Sequence, residues 1–255
     1  GEALIAAAER LESAALALER RRVATSPTLS GTVRVSVGEW AAVLLARHFA
    51  DAHETGLPPG ITLELVQSPQ TANLARRDAD LALRHGVPEA GNLYVTKVGL
   101  IAGALYRRRD RDIRGSSGRD HWITYTEEQA HYFSARWLDQ RIRSSGGRVV
   151  LRASDLLMRM EAVRAGVGIG LLPCFAADAD RSLERVTEPV PELAADYWVI
   201  VHRDLRRASC VRAVIEWIRQ LFEERRDALA GTAEAGRQPH PAAQDRTSAL
   251  VGGAG

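Results

Sequence analysis

Short β-branched segments alternate with helical segments in the first half of the chain, and this alternation constrains the fold more than any other sequence feature. Residues 32–37 and 61–66 are typical of strands, and the apolar period over residues 40–53 predicts a helix between them. A second helix is predicted over residues 73–77, before a short buried strand at 79–84. Strands separated by helices need crossover connections, which make the strands parallel. The sequence therefore predicts an α/β fold with a parallel sheet.

The second half of the chain continues this alternation with more strands. The predicted strands are residues 93–98, 101–106, 122–126, 149–152, 167–172, 183–186 and 196–202. The predicted helices are residues 127–143, 154–165 and 209–229. We expect Ser154 to cap the second of these helices, because a side-chain oxygen at a helix start accepts hydrogen bonds from the free N–H groups of the first turn.

Residues 1–24 have the pattern of a helix with a coiled-coil seam. Its apolar positions are spaced alternately by four and three residues, and they are Leu4, Ala8, Leu11, Ala15 and Leu18. So short a seam needs a partner or the protein body, so we expect a dimerising or connecting helix; an amphipathic helix lying on its own domain is the alternative. Residues 25–27 (TSP) end the helix. Residues 231–255 have no period and are expected to form a disordered tail.

Charge and hydrophobicity exclude several classes of protein. The chain has 34 Lys and Arg against 32 Asp and Glu, and a net charge of +2 is too small to indicate a phosphate-binding surface. No apolar run approaches the roughly 18 residues that a membrane-spanning helix needs. Two cysteines, Cys174 and Cys210, are too few for a disulfide framework and fit a reducing compartment. We therefore expect a cytoplasmic protein without a membrane partner.

The sequence contains no clear catalytic, metal or cofactor motif. His48 and His53 lack the spacing of a zinc-binding pair. The glycines of residues 166–170 lie inside an apolar strand, where they favour close packing or the approach of a ligand over a dinucleotide site. Cys174 stands at a predicted helix start, which can activate a thiolate, but a buried structural cysteine is the preferred interpretation. We therefore predict no catalytic residue, no metal and no cofactor.

A binding cleft is expected where the strands end. Ligands of open α/β sheets bind beyond the C-terminal ends of the parallel strands, beside helix N-termini. The candidate ligand-binding residues at those places are Gly38, Glu39, Trp40, Gln67, Ser68, Arg84, His85, Tyr125, Thr126 and Ile169. Glu39 would favour a cationic or hydroxyl-rich ligand there, or would be an ordinary acid in the first turn of a helix.

Four blocks of sequence, in order over residues 30–227, resemble the effector-binding domain of LysR-type transcriptional regulators. They are residues 29–35 (LSGTVRV), residues 59–65 (PGITLEL) followed by 74–84, residues 161–173 (EAVRAGVGIGLLP), and residues 198–207 (WVIVHRDLRR). Each block alone is only weakly specific for the family, whereas the occurrence of all four in this order is specific.

The resemblance implies a fold like that of type 2 periplasmic binding proteins, with two Rossmann-like lobes joined by two crossing strands. It implies that residues 31–103 and 203–230 form lobe I, that residues 104–202 form lobe II, and that a small-molecule inducer binds between them. It also implies a homodimer or tetramer that pairs through the N-terminal helix.

Two features depart from the family pattern. Family members begin with a winged helix-turn-helix domain that this sequence lacks, so we expect the parent protein to bind DNA and these residues not to bind operator DNA alone. Many members have a small hydroxyl residue near the position of Trp40. An indole there is expected to shrink the pocket or to offer a stacking face, which puts the usual small carboxylate effector in doubt.

Two other functions remain open from the sequence. A solute-binding protein that feeds a transporter would share the fold and the cleft, and it would be a monomer, against which the N-terminal seam argues. An enzyme on the same fold would need an acid, base or nucleophile in the cleft, for which Glu39, His85 and Tyr125 are the candidates.

Overall fold

The structure, a computed structural model, describes residues 29–67, 79–86, 93–112, 118 and 120–233. Several predictions lie outside the described residues: the N-terminal helix with Leu4, Ala8, Leu11, Ala15 and Leu18, the candidate Ser68, the helix over 73–77 and residues 234–255 of the tail. Within the described ranges, strands and helices alternate as the sequence pattern predicts.

Ten strands and six α-helices lie within the described residues. The strands are β1 Ser30–Val37, β2 Gly60–Gln67, β3 Leu81–His85, β4 Leu93–Ile101, β5 Gly103–Arg108, β6 His121–Thr124, β7 Arg148–Arg152, β8 Gly170–Pro173, β9 Leu183–Arg185 and β10 Ala195–His202. The helices are α1 Glu39–His48, α2 Phe133–Ser145, α3 Leu156–Arg164, α4 Cys174–Ala177, α5 Ser209–Glu224 and α6 Arg226–Ala230, with 3-10 turns at Glu127–Gln129 and Pro191–Leu193.

The larger sheet has the strand order β2-β1-β3-β10-β4. β1 is parallel to both β2 and β3, which confirms the predicted parallel pairing. β10 runs antiparallel between β3 and β4. Val37, the last residue of β1, is opposite Gln67 on one side and Leu83 on the other, so the three parallel strands end at one edge of the sheet.

The middle of the chain forms a second, smaller set of strands. β5 pairs antiparallel with both β8 and β9, and β6 is parallel to β7. A bridge between Trp122 and Ile169 connects β6 to the residues that lead into β8. Helix α3 packs against β5, β6 and β8. We call residues 103–193 lobe II, and the larger sheet with α1 and α5 lobe I.

The lobe boundary differs from the expected one at β10. The sequence analysis assigned residues up to 202 to lobe II, whereas β10 is a strand of the larger sheet. Val199, Ile200 and Val201 are fully buried, as in a strand that is covered on both faces. A continuous apolar run identifies such a strand but does not indicate which sheet it joins. The chain passes into lobe II at Ala102 and returns at Ala194.

Three helix boundaries also differ from the predicted ones. α1 ends at His48 instead of residue 53. Ala52 continues the apolar period of the helix and is buried, but it lies in a turn after the helix. α2 begins at Phe133, after a separate 3-10 turn, instead of at residue 127. Phe133 is 56% exposed, so the apolar period over 127–143 combined buried and exposed positions. The last predicted helix is interrupted at Arg225, between α5 and α6.

The cap of α3 is Asp155, not the predicted Ser154. The Oδ1 atom of Asp155 accepts hydrogen bonds from the backbone N–H groups of Leu157 at 2.8 Å and Met158 at 3.4 Å. Because the helix begins at Leu156, Ser154 lies one residue too early to reach these groups.

The glycines of residues 166–170 permit close packing, which confirms one of the two predicted roles. A Cβ atom at Gly168 would lie 2.5 Å from the carbonyl oxygen of His121, and one at Gly170 would lie 2.7 Å from Cγ2 of Val163. The backbone of Ile169 exchanges hydrogen bonds with His121 and Ile123. The segment therefore pairs with β6 first, and β8 begins at Gly170 instead of at residue 167.

Candidate functional site

Arg84 and Ser36 lie at the edge where the parallel strands of lobe I end. They are the penultimate residues of the neighbouring strands β3 and β1. Arg84 Nη2 donates a hydrogen bond to Ser36 Oγ at 2.6 Å, and only 8% of Arg84 is exposed. Burial lowers the pKa of Arg84, but a guanidinium stays charged at neutral pH. The strand edge therefore presents a fixed cation.

Helix α1 begins beside this cation. Gly38 is its N-cap residue and supplies no capping side chain, and a Cβ atom at Gly38 would lie 3.7 Å from Arg84 Nη1. Glu39 is the first residue of the helix, where the helix dipole favours an acid. The position of Glu39 thus agrees with both sequence interpretations, and its partner decides between them.

Arg159 is a buried cation on the lobe II side, in α3. Only 1% of it is exposed, and Nη1 donates a hydrogen bond to the carbonyl oxygen of Ala153 at 3.0 Å. Its guanidinium carbon lies 4.1 Å from the centre of the Tyr125 ring, a cation–π contact. Its Nη2 atom lies 2.6 Å from Oε2 of Glu39, across the space between the lobes. The negative charge of Glu39 is therefore paired by the protein itself.

Gln129 connects the same carboxylate to lobe II a second time. Its Nε2 atom donates a hydrogen bond to the carbonyl oxygen of Ser154 at 2.8 Å and lies 3.4 Å from Oε1 of Glu39. Each carboxylate oxygen of Glu39 thus has a partner in lobe II, and Glu39 joins the lobes.

Three tyrosines line the same region. Tyr125 and Tyr132 pack edge to face with ring centres 6.4 Å apart, and Tyr197 is buried on β10. Burial raises the pKa of Tyr125 and of Tyr197, so both remain neutral hydroxyls at physiological pH. Burial has the largest effect on the pKa of Tyr197; the charge of Arg84 lowers this pKa and that of Glu39 raises it.

Trp40 packs within the protein at the junction of the lobes. The indole packs against two hydrophobic clusters, one with residues from both lobes and one within lobe II, and it covers Gly103, the first residue of β5. A Cβ atom at Gly103 would lie 2.6 Å from Cη2 of Trp40. The ring therefore fills space where the two lobes meet.

The remaining candidates lie in different surroundings. Thr126 directly follows Tyr125 and is the N-cap residue of the 3-10 turn that carries Gln129. His85 is exposed and contacts Tyr197 edge to face at 6.3 Å. Gln67 is exposed at the end of β2, beyond β1 from Arg84. Ile169 is 3% exposed within the core of lobe II.

Arg159, which pairs with Glu39 and stacks on Tyr125 in the candidate site, was not predicted from the sequence. A signal was present in α3, where Leu156, Met160 and Val163 form a buried apolar face that also includes Arg159. A charged residue at such a position must find a buried partner. No comparable sequence signal marks three further residues of the candidate site, Ser36, Gln129 and Tyr132. Their roles in the site depend on contacts between segments that are distant along the chain.

The described part of the chain offers no group of three or more His, Cys, Asp and Glu side chains able to hold a metal ion. Both cysteines are buried, and burial raises the pKa of Cys174 to about 11. Over the same residues, the helices are too short or too polar to cross a membrane. The site consists of hydrogen-bonding and charged groups suited to binding.

Solved structures share the two-lobed fold. The regulatory domain of CrgA, a LysR-type transcriptional regulator from Neisseria meningitidis, is 18% identical and aligns with a TM-score of 0.59 over 75% of this chain and 98% of that chain. The CcmR regulatory domain of Synechocystis PCC6803, in complex with 2-PG, is 17% identical with a TM-score of 0.57 over 74% of this chain and 96% of that chain.

A curated relative and a family profile extend the likeness to sequence. The Mau operon transcriptional activator of Paracoccus denitrificans is 28% identical over 180 residues, which are 69% of this chain and 59% of that protein. The chain thus spans less than two thirds of the length of this relative. The profile of the LysR substrate binding domain matches residues 26–223. The chain therefore belongs to the LysR substrate-binding domain family, a family of regulatory domains, as the four sequence blocks indicate.

Proposed function

We propose that the chain senses a small-molecule effector that binds between the lobes, beside Arg84, Ser36 and the tyrosines. The observation that supports this site most is the convergence of buried polar groups from both lobes, with Glu39 and Arg159 joined at 2.6 Å. A ligand that contacts both lobes would bind their closed and open arrangements with different affinity. Only such a difference allows a ligand to shift the conformation of a regulator.

The effector of this site is a small anionic or hydrogen-bond-accepting molecule. Glu39 does not favour a cationic ligand, because Arg159 already pairs its charge. Arg84 then supplies the positive charge of the lobe I edge, with the N-terminal N–H groups of α1 beside it. Tyr125 and Tyr132 offer aromatic surface and hydroxyls for the remainder of the ligand.

The complete protein would be a cytoplasmic transcriptional regulator. It would bind DNA through a domain other than this one, and it would form dimers or tetramers through its linker helix. The family and the name of the Paracoccus relative, a transcriptional activator, support this proposal. The same family favours a regulatory domain over a transport protein or an enzyme, and we propose that the chain catalyses no reaction.

A thermal-shift screen of small metabolites tests the proposed site. A ligand present at about 100 times its dissociation constant stabilises the fold by roughly 2.7 kcal/mol, which is readily measured. We expect Arg84→Met to remove the stabilisation by a hit, because it removes the cation at the strand edge. Arg107→Met is the matched control, since Arg107 is exposed and pairs with Glu184 away from the site. Equal stabilisation of the parent and Arg84→Met would place the effector elsewhere.

A further inference from the structure

The pairing of Glu39 with Arg159 has a geometry that a bound carboxylate would also have. Arg159 is fixed from lobe II by the carbonyl oxygen of Ala153 and by the ring of Tyr125. The Nη2 atom faces the space between the lobes, where Glu39 pairs with it, and the buried Nε atom has no hydrogen-bond partner within the described residues. The carboxylate of Glu39 also lies beside Gln129. Two side chains of lobe II, those of Arg159 and Gln129, thus contact it as they would contact a bound ligand.

The position of Glu39 strengthens this comparison. It lies two residues after the end of β1, at the edge of the parallel strands where ligands of such folds bind. The side chain of Glu39 is 16% exposed and that of Arg159 is 1% exposed, so the pair is largely removed from water. A buried guanidinium without a paired carboxylate would be strongly unfavourable. Because separation of the lobes would break the pair, the contact of Glu39 with Arg159 holds the two lobes together.

We propose that Glu39 is an internal carboxylate ligand of Arg159, which fastens lobe I to lobe II and keeps free anions off this guanidinium. The proposal rests on the proposed function in taking the space between the lobes as the effector site. It makes Glu39 a specificity-determining residue: an anionic effector binds at Arg84, whereas Arg159 is reserved for the protein. Removal of the internal carboxylate should convert Arg159 into a second anion site.

Acetate is the probe for this site, because it has the atoms that Glu39→Ala removes beyond Cβ. We expect Glu39→Ala to lower the melting temperature by about 5 °C or more, since it leaves a buried charge unpaired. Sodium acetate should then raise the melting temperature of the variant much of the way back to that of the parent chain, whereas sodium chloride at equal ionic strength should not. The parent chain should respond equally to the two salts.

Three variants separate this effect from a general one. Glu39→Gln removes the charge but keeps the space filled, so it should be destabilised and should not respond to acetate. Glu64→Ala is the matched surface control, because Glu64 forms an exposed ion pair with Arg34. Glu39→Leu combined with Arg159→Met replaces the pair by apolar groups; it should fold and be insensitive to acetate.

A distance measurement between the lobes tests the fastening. Both native cysteines are buried, so spin labels can be attached selectively to Thr62→Cys on β2 and Arg141→Cys on α2, two exposed positions. In the parent chain we expect a narrow distance distribution. In Glu39→Ala it should broaden or shift, and acetate should narrow it again.

These results decide the proposal without an effector. An unchanged distance distribution in Glu39→Ala, or an equal acetate response in the parent chain and the variant, would overturn it. Neither result would affect the proposed effector site, which the Arg84→Met screen tests separately.

Discussion

Trp40 and Gly103 form a pair in which each residue depends on the size of the other. Trp40 belongs to lobe I and Gly103 is the first residue of lobe II after the crossing at Ala102. The indole packs against a hydrophobic cluster with residues from both lobes and against a second cluster within lobe II, and the absence of a side chain at residue 103 allows it to lie there. The pair therefore sets how closely the lobes approach at the crossing.

A double-mutant cycle tests this dependence. Gly103→Ala should destabilise the chain by about 1–3 kcal/mol, because the added Cβ would meet Cη2 of Trp40 at 2.6 Å. Trp40→Leu should be destabilising alone, by about 2 kcal/mol, through loss of buried contacts. Urea unfolding of the double variant should show a loss in the free energy of unfolding that is smaller than the sum of the losses of the two single variants. Strict additivity would contradict the packing of Trp40 on Gly103.

Individual site residues were predictable from the sequence only where their place along a strand indicated their role. Glu39 and Arg84 follow from the rule that ligands bind at the ends of parallel strands. The partner of Glu39 did not follow, because Arg159 is 120 residues away along the chain. The sequence therefore left two interpretations of Glu39 open, a group that favours a cationic or hydroxyl-rich ligand and an ordinary acid of the first turn, and the pairing with Arg159 argues against a cationic ligand.

Helix α3 joins the site to the fold of lobe II. Its N-terminus carries the Asp155 cap, and Arg159 lies one turn later. The cap satisfies two of the free N–H groups of the first turn, so it helps to hold the backbone from which Arg159 reaches Glu39.

Asp155 and Ser154 offer a direct comparison of the two possible caps. Asp155→Ala should lower the free energy of unfolding by about 1 kcal/mol, as the loss of an N-cap usually does. Ser154→Ala should have a smaller effect, because the hydrogen bond recorded for Ser154 among the described residues is accepted from Gln129 by its backbone oxygen, which the substitution keeps. Chemical denaturation of the two variants gives both values. A larger loss for Ser154→Ala would show that the cap is misassigned.

Whole elements were more predictable than their ends. Alternating β-branched segments identified the strands, since each needs only local pattern. The ends of α1 and α2 were predicted wrongly because two residues continue an apolar period for other reasons. Ala52 lies after the end of α1, and Phe133 is an exposed residue of α2. Helix ends depend on caps and on packing, which the apolar period does not record.

The described residues form two lobes that are joined by two crossings of the chain, by a hydrophobic cluster with residues from both lobes, and by polar contacts such as that of Glu39 with Arg159. The sequence predicted this architecture through its resemblance to a family, while strand alternation alone predicted only an α/β fold. The assignment of β10 to lobe I needed the pairing with β3 and β4, which is a contact between distant segments.

Hydrogen–deuterium exchange of the chain with a metabolite from the thermal-shift screen tests the central claim most directly. If the effector binds between the lobes, exchange should slow in peptides from both, at residues 36–41 and 82–85 of lobe I and at residues 124–130 and 153–160 of lobe II. The outer strand β9 serves as the internal control and should exchange unchanged. Slower exchange confined to one lobe, or found only outside these segments, would contradict the account.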